Sequence, residues 1–130
     1  MKIISLQHIA IEDPGTFKDF LLADGHELTT IQLDEGENIP SNLDEFDAML
    51  CMGGPMDTFM EDEFNWLVGE KKAIGEYVLN LKKPFLGFCL GCQLLGEILG
   101  GKVVQSNPPE IGVLDIDVSD QAITDPVFNF

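Results

Sequence analysis

Residues Gly87 to Gln93 read G-F-C-L-G-C-Q, and their types and spacing allow two kinds of sulfur chemistry. Cys89 and Cys92 are spaced C-x-x-C, the layout of a thiol–disulfide switch at a helix N-terminus. Gly87 and Gly91 also frame Cys89 as G-x-C-x-G, the spacing of a nucleophile held on a sharp strand-to-helix turn. Glycines two residues before and after relieve the crowding that such a turn creates. A helix N-terminus aimed at the sulfur favours thiolate over thiol. The Leu90 N–H would then face the site where an oxyanion forms. A second donor has to come from a neighbouring loop, and Gly54 is placed for it. In a redox site Gly91 stands where a rigid residue is usual, and Gly87 has no special purpose, so the elbow is the favoured reading. Cys92 then packs beside the helix or modulates Cys89 by reversible oxidation. Cys51, among apolar neighbours, reads as a small buried hydrophobe.

The elements that must hold these groups follow from apolar periodicity. Lys2 to Gln7 is a buried strand, and Pro14 opens a helix through Ala23 that Asp24-Gly25 ends. His26 to Leu33 is a second strand; Asp34 to Glu45 is an acidic loop with one helical turn. Asp47 to Met52 is a third strand running into the turn Gly53-Gly54-Pro55. Between Glu63 and Leu81 the apolar residues Phe64, Leu67, Val68, Ile74, Val78 and Leu81 recur at helical spacing, and Pro84 closes the helix. Pro84 to Phe88 is a fourth, short strand. A helix follows Cys89 and stops at Gly100-Gly101. Lys102 to Gln105 is a fifth strand, and Val113 to Ser119 alternates as a sixth, half-exposed one. Strands alternating with helices predict an α/β fold: a doubly wound, mostly parallel sheet with helices on both faces. Ligands of such sheets bind beyond the carboxyl ends of the strands. Gln7-His8, Gly53-Gly54-Pro55 and Cys89 all fall there.

With 130 residues, 45% hydrophobic and 23% charged, the chain reads as a single soluble domain with a core of its own. A net charge of −16 argues against nucleic-acid and anionic-membrane partners, which need Lys and Arg. No apolar run approaches the ~20 residues of a membrane span. The N-terminus reads as a strand rather than a signal peptide. Three cysteines, an odd number, suit a reducing cytoplasm. No ATP loop and no metal-ligand cluster is legible, so neither cofactor nor metal is expected.

The stretch from Lys83 to Val103, "KPFLGFCLGCQLLGEILGGKV", resembles the nucleophile segment of class I, triad-type glutamine amidotransferases. "MGGPMD" from Met52 resembles their oxyanion loop, and "FNWLVGEKKAIGEYV" and "NPPEIGV" also fit, most closely the stand-alone, GMP-synthase-like members. The resemblance covers nearly the whole chain. It implies a flavodoxin-like domain that hydrolyses glutamine to glutamate and ammonia through a γ-glutamyl thioester on Cys89. It also implies an oxyanion hole from the Gly54 and Leu90 amides, contact of Gln93 with the bound glutamine, and a synthase or acceptor domain that receives the ammonia. Cys92 stands where the family often has His or Ala, and Val113 where Trp is common.

The same resemblance places the catalytic His, followed two residues later by Glu or Asp, beyond Phe130. Only His8 and His26 are present. His26 precedes the second strand, on the wrong edge. His8 is on the right rim, but its strand lies two places from the fourth, roughly 10 Å at ~4.8 Å per strand. It is expected to be a rim or loop residue rather than the base. Residues 1–130 are therefore expected to be the N-terminal part of an amidotransferase domain, with weak turnover alone and a bare sheet edge prone to homo-oligomerisation. Three alternatives stay open: another cysteine hydrolase on the scaffold (a γ-glutamyl hydrolase or Cys–His peptidase-like enzyme), a Cys89/Cys92 redox protein, and a non-catalytic module.

Overall fold

The computed structural model describes residues 1–109, 112–115 and 117–126. Four strands, β1 (Lys2–Gln7), β2 (Glu27–Gln32), β3 (Ala48–Cys51) and β4 (Phe85–Gly87), form one parallel sheet in the order β2-β1-β3-β4. That order is the flavodoxin-like arrangement up to its fourth strand. The helices are α1 (Gly15–Ala23), α2 (Trp66–Gly75), α3 (Leu90–Ile98) and a short α4 (Asp120–Ile123). A π-helical turn, Glu76–Asn80, continues α2, and a 3₁₀ turn, Leu43–Glu45, is the one helical turn expected in the acidic loop.

β1 is buried from Ile3 to Gln7, as a central parallel strand covered on both faces must be. Its side chains alternate between two cores. Ile4 and Leu6 join Met49, Leu67, Ile74, Tyr77, Leu90 and Leu94 beneath α2 and α3. Ile3 joins Leu50 and Met52 on the other face, with Leu21 of α1 packed against them. Helices thus lie on both faces of the sheet.

Two expected strands are not found among the described residues. Residues 102–105 are irregular, with Val104 65% exposed. Residues 113–115 and 117–119 are irregular too, with Val113 fully exposed; residue 116 lies outside the described residues, as do Glu110 and Ile111 of the "NPPEIGV" segment. β-branched residues favour extended backbone only where a neighbouring ladder and a buried face receive them, and neither segment has one among the described residues. Among the described residues β4 is accordingly an edge of the sheet. The helix expected from Glu63 begins at Trp66 instead, because residues 60–64 form a tight turn in which the Glu63 and Phe64 N–H groups both bond the Met60 carbonyl.

Candidate functional site

Parallel register brings three strand ends to one level: Leu6 pairs with Cys51, and Cys51 with Gly87. The residues just beyond, His8, Gly53-Gly54 and Cys89, therefore share the carboxyl rim, as the strand pattern predicts. The junctions are stitched together. The Met52 N–H bonds Leu6 O at 2.9 Å, the Phe88 N–H bonds Cys51 O at 2.9 Å, and the Gly91 N–H lies 3.2 Å from Met52 O.

Cys89 occupies the N-cap of α3 at φ 47°, ψ −104°, and is exposed. A non-glycine residue with positive φ here stores roughly 1–3 kcal/mol of strain. The glycines around it are needed for space. A Cβ on Gly87 would sit 2.5 Å from the Gly91 carbonyl carbon, and one on Gly91 would drive into the Cys51 carbonyl. Strand and helix can meet this closely only without those side chains. The sulfur's residue borders a cleft of about 310 Å³ shared with Glu12, Pro14, Phe17, Gly53 and Phe88. The Phe17 and Phe88 rings meet edge-on at 6.2 Å across it. A larger hollow of about 410 Å³, between the 37–43 loop and α2, shares no residue with this cleft and holds no cysteine or histidine.

The Leu90 and Gly54 N–H groups make no hydrogen bond among the described residues. Leu90 is the first residue of α3, where backbone donors lack intrahelical partners. Gln93 lies one turn along α3 and gives its N–H to Cys89 O at 3.0 Å. Its side chain is exposed and lines a separate hollow with Asp57, Phe59 and residues 103–106. The rim thus gathers Cys89, Leu90 and Gly54, while Gln93 lines a hollow that shares no residue with the Cys89 cleft.

Behind the rim is a polar group that the sequence reading did not assemble. His8 is wholly buried, with Nδ1 2.8 Å from Gly53 O and Nε2 2.7 Å from Glu70 Oε1. The Cys51 thiol donates to the same Glu70 oxygen at 3.3 Å and lies 4.0 Å from His8 Nε2. The Trp66 indole stacks on the imidazole, with centroids 5.4 Å apart and planes at 19°. Burial by itself would lower the His8 pKa. The Glu70 hydrogen bond and charge, the Gly53 carbonyl and the Glu12 charge outweigh it and hold the imidazole above its ordinary 6.5. Burial, with the Glu70 charge and hydrogen bond adding to it, pushes the Cys51 thiol well up. Cys51 is buried as expected, but among polar partners rather than purely apolar ones.

His8, Cys51 and Glu70 are also ligand types for a metal. The 2.7 Å Nε2–Oε1 separation is that of a shared proton, shorter than the ~3.3 Å ligand–ligand edge of a tetrahedral zinc site. Both His8 nitrogens are engaged, so this residue is not free to serve Cys89 as a base. His26 lies at the opposite end of the sheet, before β2, beside the N-terminal amine. Glu70 had a legible signal: it stands three residues after Leu67 and four before Ile74, on the buried face of α2.

Residues 18–126 match the model of the family "Glutamine amidotransferase class-I". The glutamine amidotransferase-like protein YfeJ of Salmonella typhimurium is 30% identical over 98% of this chain and 54% of its own length. A glutamine-hydrolyzing GMP synthase subunit of Sulfurisphaera tokodaii is 33% identical over 61% of this chain and 39% of its own. The crystal structure of SMU.1228c superposes with a TM-score of 0.86 at 29% identity, over 97% of this chain and 55% of that one. This chain spans about half, or less, of the length of these relatives. With the flavodoxin-like sheet, the cysteine elbow at its rim and the family match over most of its residues, the chain belongs to the class I glutamine amidotransferase family.

Proposed function

We propose that these residues form the nucleophile side of a glutaminase site. The Cys89 thiolate attacks the side-chain amide carbon of glutamine, forming a C–S bond and an oxyanion that the Gly54 and Leu90 N–H groups stabilise. Collapse breaks the C–N bond and releases ammonia. Water then breaks the C–S bond, giving glutamate and free thiolate. Gln93 contacts the bound glutamine. Proton transfer to the leaving amine and from the water needs a general acid–base group that neither His8, engaged at both nitrogens, nor His26, at the far end of the sheet, supplies. The ammonia passes to an acceptor bound by a synthase partner or domain, as the name of the GMP synthase subunit suggests for that relative.

The observation that carries this reading is the backbone at Cys89: φ 47° on an exposed strand–helix junction between glycines with no room for a Cβ. Neither a structural cysteine nor a redox pair needs that strain. The test is alkylation of the intact protein by a glutamine-like diazo-ketone, followed by peptide mass mapping. Cys89 is expected to be labelled at least about tenfold faster than Cys92, with free glutamine protecting it, and Cys51 left unmodified. Equal labelling of Cys89 and Cys92 with no protection by glutamine would sink the reading.

A further inference from the structure

The Gly53–Gly54 peptide is gripped at one end only. Its carbonyl accepts a hydrogen bond from His8 at 2.8 Å. A carbonyl only accepts, so Nδ1 carries the proton. The one cis peptide among the described residues is Asn107–Pro108, so Gly53–Gly54 is trans and its N–H points opposite to its carbonyl. With the carbonyl turned in to His8, the Gly54 N–H turns out, away from the core, and it takes no partner among the described residues. Cys89 is close by: a Cβ built on Gly53 would lie 3.6 Å from the Cys89 Cβ.

We propose that His8 is a positioning residue for the reaction at Cys89: backed by Glu70, it locks the Gly53–Gly54 peptide in the orientation that presents the Gly54 N–H to the substrate oxyanion. This rests on the reading of Gly54 as an oxyanion donor. A peptide between two glycines has no Cβ on either side to resist rotation. Released from His8, it could turn its N–H inward and leave the oxyanion with the Leu90 donor alone. The imidazole is itself fixed on three sides. Glu70 Oε1 holds Nε2 at 2.7 Å, Trp66 covers the ring face, and the Cys51 thiol ties down the same carboxylate oxygen at 3.3 Å. The logic is that of a carboxylate orienting a histidine in a catalytic triad. Here the histidine touches no reacting atom, and it orients a peptide instead.

Two substitutions separate the two ring nitrogens. In His8→Asn the side-chain amide can donate from near the Nδ1 position to Gly53. In His8→Gln the amide reaches toward Glu70 and gives up the Gly53 bond. Two reagents separate the oxyanion from the thiolate. An N-acetylated γ-glutamyl thioester transfers its acyl group to Cys89: a new C–S bond forms, the old one breaks, and a thiolate leaves without needing a proton. That reaction passes through an oxyanion. Iodoacetamide alkylates the same sulfur by displacing iodide and forms none. In the intact protein, His8→Gln is expected to slow acyl transfer about 100-fold, the effect of losing one oxyanion donor. Its iodoacetamide rate should stay within about twofold of wild type, and His8→Asn should recover most of the acyl-transfer rate.

Unchanged acyl transfer in His8→Gln would overturn the proposal. So would a parallel fall in both reactions, which a merely structural role predicts. If wild-type Cys89 accepts the acyl group no faster than Cys92, the oxyanion reading of Gly54 itself fails, a result visible before any variant is made. Should the variants not fold, the wild type still decides. An Nδ1 proton of His8 with through-bond coupling to the Gly53 carbonyl carbon supports the proposal, and its absence in a folded sample refutes it.

Discussion

Cys51 and Cys89 lie at the ends of adjacent strands, yet they are opposite kinds of cysteine. Cys51 closes β3 with ordinary extended geometry; its thiol is fully buried, donates to Glu70, and is held protonated by its surroundings. Cys89 lies two residues beyond β4, at positive φ, exposed on a cleft and followed at once by helix. The side chain is the same, so the backbone decides. One more residue of regular strand would bury a sulfur, and one sharp turn projects it. The two are also mechanically joined, because the elbow closes only if Gly91 lies against the Cys51 carbonyl. The buried cysteine is thus part of the floor under the exposed one.

That division can be broken from either side. Replacing Glu70 by Ala removes the shared partner of His8 and Cys51 and leaves the buried Nε2 of the imidazole without its carboxylate. His8 can shed its extra proton, which holds the cost to the low end of about 3–5 kcal/mol. Urea unfolding should report it as a lower midpoint, and Cys51 should become open to alkylation in the folded protein. If the midpoint hardly moves, the buried pair matters little to stability. Replacing Gly91 by Ala attacks the other side. The new methyl meets the Cys51 backbone, which cannot yield as a flexible side chain would. The expected destabilisation is about 1–3 kcal/mol. A fall in Cys89 alkylation should accompany it, with Cys51 still protected. An unaltered Cys89 rate would mean that the elbow tolerates the bulk and that its geometry is looser than described.

How much of this was legible in the sequence depended on the kind of constraint. The four strands and three main helices announce themselves through period and punctuation, because Pro14, Gly25, Pro84 and Gly100 each end or open an element. The elbow was legible because its chemistry is local: two glycines, one cysteine, a strand before and a helix after. Segment 102–105 and the described part of 113–119 misled, since β-branched residues in the one and period-two alternation in the other report only a readiness to pair. The Cys51–Glu70–His8 group was not legible as a unit. Its members come from the end of β3, the middle of α2 and the loop after β1, and nothing but the packing of α2 on the sheet brings them together. Glu70 on an apolar helix face and His8 after a strand of mostly apolar residues were its separate traces. Joining them required the crossover that places α2 over β1 and β3.

The smallest expected effect tests the charge on that group. His8 is surrounded by the Glu70 carboxylate, the Gly53 carbonyl, the Cys51 thiol and the Trp66 ring, with Glu12 acting from farther off. Its pKa in the folded chain lies above 6.5. The folded state therefore binds the proton more tightly than the unfolded state does. By linkage, the resulting stability is fully present below about pH 6.5 and is lost as pH rises through the folded value. Urea midpoints should accordingly decline from pH 6 toward alkaline pH in the wild type. In His8→Asn, which keeps the Gly53 bond but cannot titrate, this decline should flatten. His26, the other histidine, is shared by both proteins and cancels in the comparison. A wild-type curve no steeper than that of His8→Asn would place the proton elsewhere in the group. The imidazole would then be neutral, still able to hold the Gly53 carbonyl through Nδ1, and no ion pair would lie beneath the rim. Cys89 would then sit above a neutral imidazole rather than an ion pair, and the contrast between the two cysteines would rest on backbone geometry alone.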